Sequence, residues 1–221
     1  MNTAGRLAGR SALITGGAGA VGADIARRLG AEGAAVALGH HDGAERAERL
    51  AAALEEAGGR ATAIRADLTA PDGAVLLVEA AATAFGGLDI VVNSAAVTHW
   101  RPLERTPLED IDHVLGLDAR APYLVMQAAA ARLPAGGRII NLSSDLASRA
   151  LPGSSLFSAS MAFVEQVTRV ASAELADRRI TVNAVAYGPE TTGLAAMVAL
   201  LASPEAAEIT GQVINLTGNA S

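Results

Sequence analysis

The chain contains no cysteine, which excludes a disulfide, a thiolate nucleophile and a cysteine-ligated metal. Aromatic residues make up only 3% of it, too few for a platform on which nucleic-acid bases stack. It has no excess of basic charge either: 17 Lys and Arg stand against 23 Asp and Glu, for a net charge of −6. With a pI near 5.2, attraction to nucleic acid or to an anionic membrane is disfavoured, so neither is expected as a partner. No apolar run is long enough to span a bilayer. Met1 to Arg6 lead towards the first strand without an apolar leader, so a cytoplasmic protein is expected. No His, Asp or Glu cluster has metal-ligand spacing, and no metal is expected.

What is present is a small-residue core. Hydrophobic residues make up 51% of the chain, much of it Ala, and mean hydropathy is +0.31. Short β-rich runs are expected near 11–15, 34–38, 61–66, 90–93, 138–142, 180–185 and 212–216. Amphipathic helical segments are expected near 21–29, 44–56, 73–84, 108–115, 120–132, 158–176 and 194–201. Apolar strands alternating with helices predict an α/β fold, a doubly wound parallel sheet covered on both faces. No linker or internal repeat interrupts the pattern. A single Rossmann-like domain over residues 1–221 is predicted.

The sharpest local signal follows the first strand. In Thr15-Gly16-Gly17-Ala18-Gly19-Ala20-Val21-Gly22, residues Gly17, Gly19 and Gly22 satisfy G-x-G-x-x-G. Between a strand and a helix, such glycines permit a tight turn and let backbone approach a pyrophosphate at the helix N-terminus. A turn with no ligand is the simpler alternative. Asp42 lies 20 residues beyond Gly22, within the range expected for an acid on a ribose hydroxyl. His40, His41 and Arg46 lie close by, and the choice between NAD and NADP is open.

Several further segments extend the signal: Asp67-Leu68, Asn93-Ser94-Ala95-Ala96, Asn183-Ala184-Val185-Ala186-Tyr187-Gly188, Thr192, and Thr210-Gly211-Gln212. With the glycine turn they resemble the short-chain dehydrogenase/reductase family over nearly the whole chain. Some positions depart from that family: Ala20 and Ala96 replace glycines, and Tyr187 replaces a proline. The resemblance implies a cofactor, NAD or NADP, near Gly16, Gly17, Gly19, Gly22, Asp67, Asn93 and Thr192. It also implies a catalytic set of Asn, Ser, Tyr and Lys. Here those positions read Asp118, Ser144, Phe157 and Met161. Ser144 keeps its spacing to position 157, but a phenyl ring has no proton for a carbonyl oxygen. A thioether carries no charge to lower a phenol's pKa or to hold a ribose. The site therefore reads as degenerate, the signature of a pseudoenzyme or of altered chemistry, with cofactor binding weak or lost.

The helical lid that the family places after Thr192 is also absent from the sequence. An unlidded site suits a small-molecule substrate that is large or carrier-bound. Ser144, Asp118 and His99 are the candidate catalytic residues, with Asp145 beside them. Solvated or capping roles are the plainer alternative for each. The leading expectation is non-redox acid/base chemistry (isomerisation, dehydration or cyclisation) on a small metabolite. One alternative is an NAD(P)-dependent oxidoreductase with a substituted proton donor. Another is a non-catalytic binding or partner subunit. Helices over 120–132 and 158–176 carry many small and apolar residues, and the resemblance implies that they pair in a homo-oligomer.

Overall fold

A computed structural model describes residues 5–216. The outer ends of the expected domain, 1–4 and 217–221, lie outside the described residues. Seven strands form one parallel sheet: β1 (Ser11–Ile14), β2 (Ala35–His40), β3 (Arg60–Arg65), β4 (Ile90–Asn93), β5 (Arg138–Ser144), β6 (Thr181–Tyr187) and β7 (Val213–Leu216). Their order is β3-β2-β1-β4-β5-β6-β7, so the winding reverses direction after β3, between β1 and β4. That reversal leaves a crevice above the carboxyl ends of the strands, the usual ligand position in such sheets.

Among the described residues, seven α-helices cover the two faces: α1 (Ala20–Ala31), α2 (Ala44–Glu56), α3 (Gly73–Phe85), α4 (Leu108–Leu115), α5 (Ala121–Arg132), α6 (Ser155–Glu174) and α7 (Leu194–Ala202). Alternate strand residues feed two cores. Ala12 and Ile14 pack with Ile25, Leu29, Leu54 and Leu201 on one side. Leu13 packs with Leu77, Val78, Val125 and Leu133 on the other. The central strands are buried on both faces, so apolar residues such as Val91-Val92 and Ile139-Ile140 run consecutively rather than alternating.

A buried polar chain pins the middle of the sheet to α6. Asn93 Nδ2 donates to Asn141 Oδ1 at 2.8 Å, and Asn141 Nδ2 donates to Thr168 Oγ1 at 2.8 Å. Asn183 holds the segment leading into β7 in place: its Nδ2 donates to the Ile209 carbonyl at 2.7 Å, and its Oδ1 accepts from Gln212 N at 3.1 Å.

Three differences from the expected elements matter for the site. Helix α6 begins at Ser155 rather than 158, so Phe157 lies in its first turn and Met161 in its second. Strand β6 runs to Tyr187 rather than 185, which extends the sheet into the crevice. Finally, α4 and α5 form one continuous helix interrupted by a π turn, Gly116–Arg120. Pro122 supplies the reason, because it has no N–H for the Asp118 carbonyl and a regular i→i−4 ladder fails there. Such π turns are frequent at functional sites.

Candidate active site

The crevice is a cavity of about 940 Å³, at the upper end of the range for small-molecule sites. Its walls run from Gly16, Gly19 and Gly22 through Asp67 and Asn93 to Asp118, Ser144, Phe157, Met161 and Tyr187. The expected phosphate end and the expected catalytic end are therefore one space.

At the phosphate end, Gly16 has φ of 63°, a conformation that glycine adopts without strain. A Cβ on Gly22 would stand 2.4 Å from the Gly16 carbonyl oxygen, so only glycine lets the helix start so close to the turn. Gly17 plays a different part from the one expected. It does not line the cavity; its N–H donates to the Gly39 carbonyl at 2.9 Å, holding the turn against β2. Ala20 is the first residue of α1 and lines the cavity without closing it.

Asp67 lines the next section, where its Oδ1 accepts from Thr69 N at 2.8 Å and Thr69 Oγ1 at 2.6 Å. Those two bonds hold its carboxyl below the usual carboxylate range. His40 and Asn93 also face this space. Among the described residues, His40 Nδ1, Asn93 Oδ1 and Asp118 Oδ2 are buried atoms of cavity-lining residues with no hydrogen-bond partner. An orphaned buried polar atom costs about 1–3 kcal/mol, so the cavity is built to receive polar ligand groups. The glycine cradle and these orphaned atoms fit a nicotinamide dinucleotide.

Asp118 sits within the π turn and is only 1% exposed. Its Oδ1 accepts the Val97 N–H at 2.8 Å, tying the helix to the loop after β4. Burial pushes its pKa up to about 7, partly offset by that hydrogen bond. Ser144 ends β5. Its Oγ accepts from Leu146 N at 3.2 Å and donates to Asp145 Oδ1 at a long 3.3 Å. The other Asp145 oxygen pairs with Arg149 at 2.5 Å. Phe157 and Met161 pack with Leu146 as an apolar wall.

Asp118 and Ser144 thus meet in one cavity, but His99 and Thr192 do not join them. His99 Nε2 is 3.0 Å from Asp110 Oδ2, which also pairs with Arg101 at 3.1 Å. His99 is absent from the cavity wall, which its neighbours Thr98 and Trp100 line. Thr192 is exposed and likewise absent from the wall. Its neighbour Thr191 organises the segment instead, accepting from Gly188 N at 2.9 Å and donating to the Leu216 carbonyl at 2.7 Å. The chain then enters α7 at Leu194, so no lid helix follows this segment. Tyr187 is a cavity residue that the candidate set omits. Its only trace in the sequence is a phenol where the resembled pattern has proline.

Among the described residues no cluster of three metal-ligating side chains exists, and no helix is long and apolar enough to cross a membrane.

Comparison with known proteins agrees with this geometry. Residues 10–200 match the family model described as short chain dehydrogenase. The chain is 38% identical to hydroxynaphthalene reductase arp2 of Aspergillus fumigatus over 180 residues, covering 81% of this chain and 66% of that protein. A dehydrogenase/reductase structure from Sinorhizobium meliloti 1021 superposes with a TM-score of 0.93 at 39% identity, covering 97% of this chain and 96% of the other. The landomycin C-6 ketoreductase LanV, solved with bound NADP and rabelomycin, gives a TM-score of 0.91 at 36% identity with 97% of each chain covered.

Proposed function

The chain belongs to the short chain dehydrogenase family, and from that premise we propose that it is an NADP(H)-dependent oxidoreductase with a substituted proton donor, acting on a carbonyl of an aromatic, ring-fused substrate. The observation that carries this reading is the continuity of the cavity from the glycine turn to Ser144, with orphaned polar atoms along it. The similar proteins add weight to the redox reading over non-redox acid/base chemistry. One is named a hydroxynaphthalene reductase, and another is a ketoreductase with NADP bound. The substrate class follows those names and the wall itself, where Trp100, Leu146, Leu151 and Phe157 offer apolar surface.

When bound, the nicotinamide dinucleotide supplies or accepts the hydride. Gly16, Gly19 and Gly22 would admit its phosphates, and His40, Asp67 and Asn93 would face its remaining polar groups. Met161 leaves no cation to hold the ribose, so binding is weaker than in relatives with lysine there. Ser144 turns its hydroxyl from the long bond with Asp145 to the substrate oxygen. Asp118, half protonated near neutrality, exchanges protons with water in the cavity. His99 fixes the loop after β4 through Asp110 and takes no part in the chemistry.

A second reading keeps the acid/base groups and omits the hydride: Phe157 and Met161 replace the ordinary pair with apolar surface while Asp118 titrates near 7. Both readings place a homo-oligomer interface on α5 and α6, where Tyr123, Phe163 and Val170 are 46%, 42% and 48% exposed.

The test is NADPH consumption with hydroxylated tetralones, bicyclic aromatic ketones of the proposed class. Consumption matching alcohol formed, and reduced at least about tenfold in Ser144→Ala, is expected. Product that forms without consuming NADPH would favour the second reading.

A further inference from the structure

With position 157 a phenylalanine, the cavity still contains one phenol. Strands β5 and β6 are parallel neighbours, and Ser144 is in direct register with Tyr187. Residues in register on adjacent strands point to the same face of the sheet. Both residues line the cavity, so the cavity's tyrosine lies on the strand next to the serine expected to hold the substrate oxygen. The backbone beyond it is fixed. Gly188 N donates to Thr191 Oγ1 at 2.9 Å, and a Cβ on Gly188 would meet Asp145 Oδ2 at 3.2 Å. Tyr187 is thus anchored at its own strand end and at the residue that follows.

We infer that the Tyr187 phenol is the group that gives its proton to the substrate oxygen. This rests on the reductase reading above and names the donor that reading leaves unassigned. The step balances. The carbonyl carbon gains a hydride from the reduced nicotinamide, and the C=O π pair moves to oxygen. That oxygen takes the phenolic proton as the Tyr187 O–H bond breaks. The phenolate then recovers a proton from water, which the unlidded mouth admits. Burial holds the Tyr187 pKa above the ordinary phenol value, so the donor stays protonated throughout the neutral range. No cation replaces the missing lysine to stabilise the phenolate, so the step is slower than with an activated phenol.

The chain has two tyrosines, Tyr123 on α5 and Tyr187, which makes the phenol directly observable. Protein labelled with carbon-13 at tyrosine Cζ should give two resonances, assigned through Tyr123→Phe and Tyr187→Phe. Adding 1-tetralone without any dinucleotide should shift the Tyr187 resonance and leave that of Tyr123 in place. In turnover, Tyr187→Phe should lower kcat by about 100-fold or more with KM for the ketone within about threefold, while its circular dichroism matches the unaltered protein. The inference is overturned if the unaltered protein turns over and Tyr187→Phe keeps its kcat. It is equally overturned if a saturating ketone leaves the Tyr187 resonance unmoved. A shifted resonance with no NADPH consumption at all would instead overturn the reductase reading, and the proton-transfer role with it.

Discussion

Asp118 Oδ1 accepts the Val97 amide at 2.8 Å, while Asp118 Oδ2 is buried with no partner. One oxygen fastens the π turn to the loop after β4, and the other is left for the cavity. This carboxyl costs stability whenever it is ionised.

The sign follows from its pKa of about 7 in the folded chain against 3.8 for the free side chain. Folding favours the protonated form, so the stabilisation is complete below pH 3.8 and is lost as pH rises towards 7. Asp118→Asn removes that loss. Its stability advantage over the unaltered protein should grow by about 2–3 kcal/mol between pH 5 and pH 8. Urea unfolding at both pH values measures it, and an advantage independent of pH would refute the assignment.

Met161→Lys should tighten NADPH binding. By the resemblance it places an ammonium against the proposed cofactor's ribose, and a charged hydrogen bond contributes about 1.5–3 kcal/mol, or roughly 10- to 100-fold in Kd. Titration calorimetry reads this directly. An unchanged Kd would show that Met161 does not face the cofactor.

Gly22→Ala should abolish dinucleotide binding. The added methyl meets the Gly16 carbonyl oxygen at 2.4 Å, so the turn must open and lose the close backbone approach to phosphate. Gly86→Ala is a control with no atom within 4 Å, although it sits at φ +76°. It should lose some stability but keep binding. Equal affinity in both variants would contradict the assignment of the glycine turn.

Phe163→Glu should break the proposed α5–α6 interface and lower the mass of the oligomer. Phe163 and Tyr123 form a tilted aromatic pair 6.5 Å apart across α6 and α5, and both are more than 40% exposed. Light scattering at micromolar concentration gives the mass. A monomer before the substitution would remove the proposed interface.

The sequence carried the sheet and its glycine turn because both are local patterns: apolar strands between helices, and glycines between β1 and α1. Through the resemblance it also implied replacements at 118, 157 and 161, with the spacing from Ser144 to 157 kept. Other features depend on three-dimensional partners. His99 sits two residues beyond the Val97 amide that Asp118 accepts, yet its ring turns to Asp110. Thr191 rather than Thr192 organises the segment after β6 because only its hydroxyl reaches both Gly188 and Leu216. The π turn follows from Pro122, four residues after Asp118, and the spacing of apolar residues does not reveal it. Tyr187 gains meaning only through its register with Ser144, which links residues far apart in the chain.

The central claim is that hydride reaches the substrate at this site. The direct measurement uses NADPH deuterated at both C4 positions of its nicotinamide, with product mass determined after turnover of a hydroxylated tetralone. The account predicts an alcohol carrying one deuterium on the former carbonyl carbon. A transformed product without deuterium would contradict it and leave acid/base chemistry by Asp118 and Ser144 as the activity of the cavity.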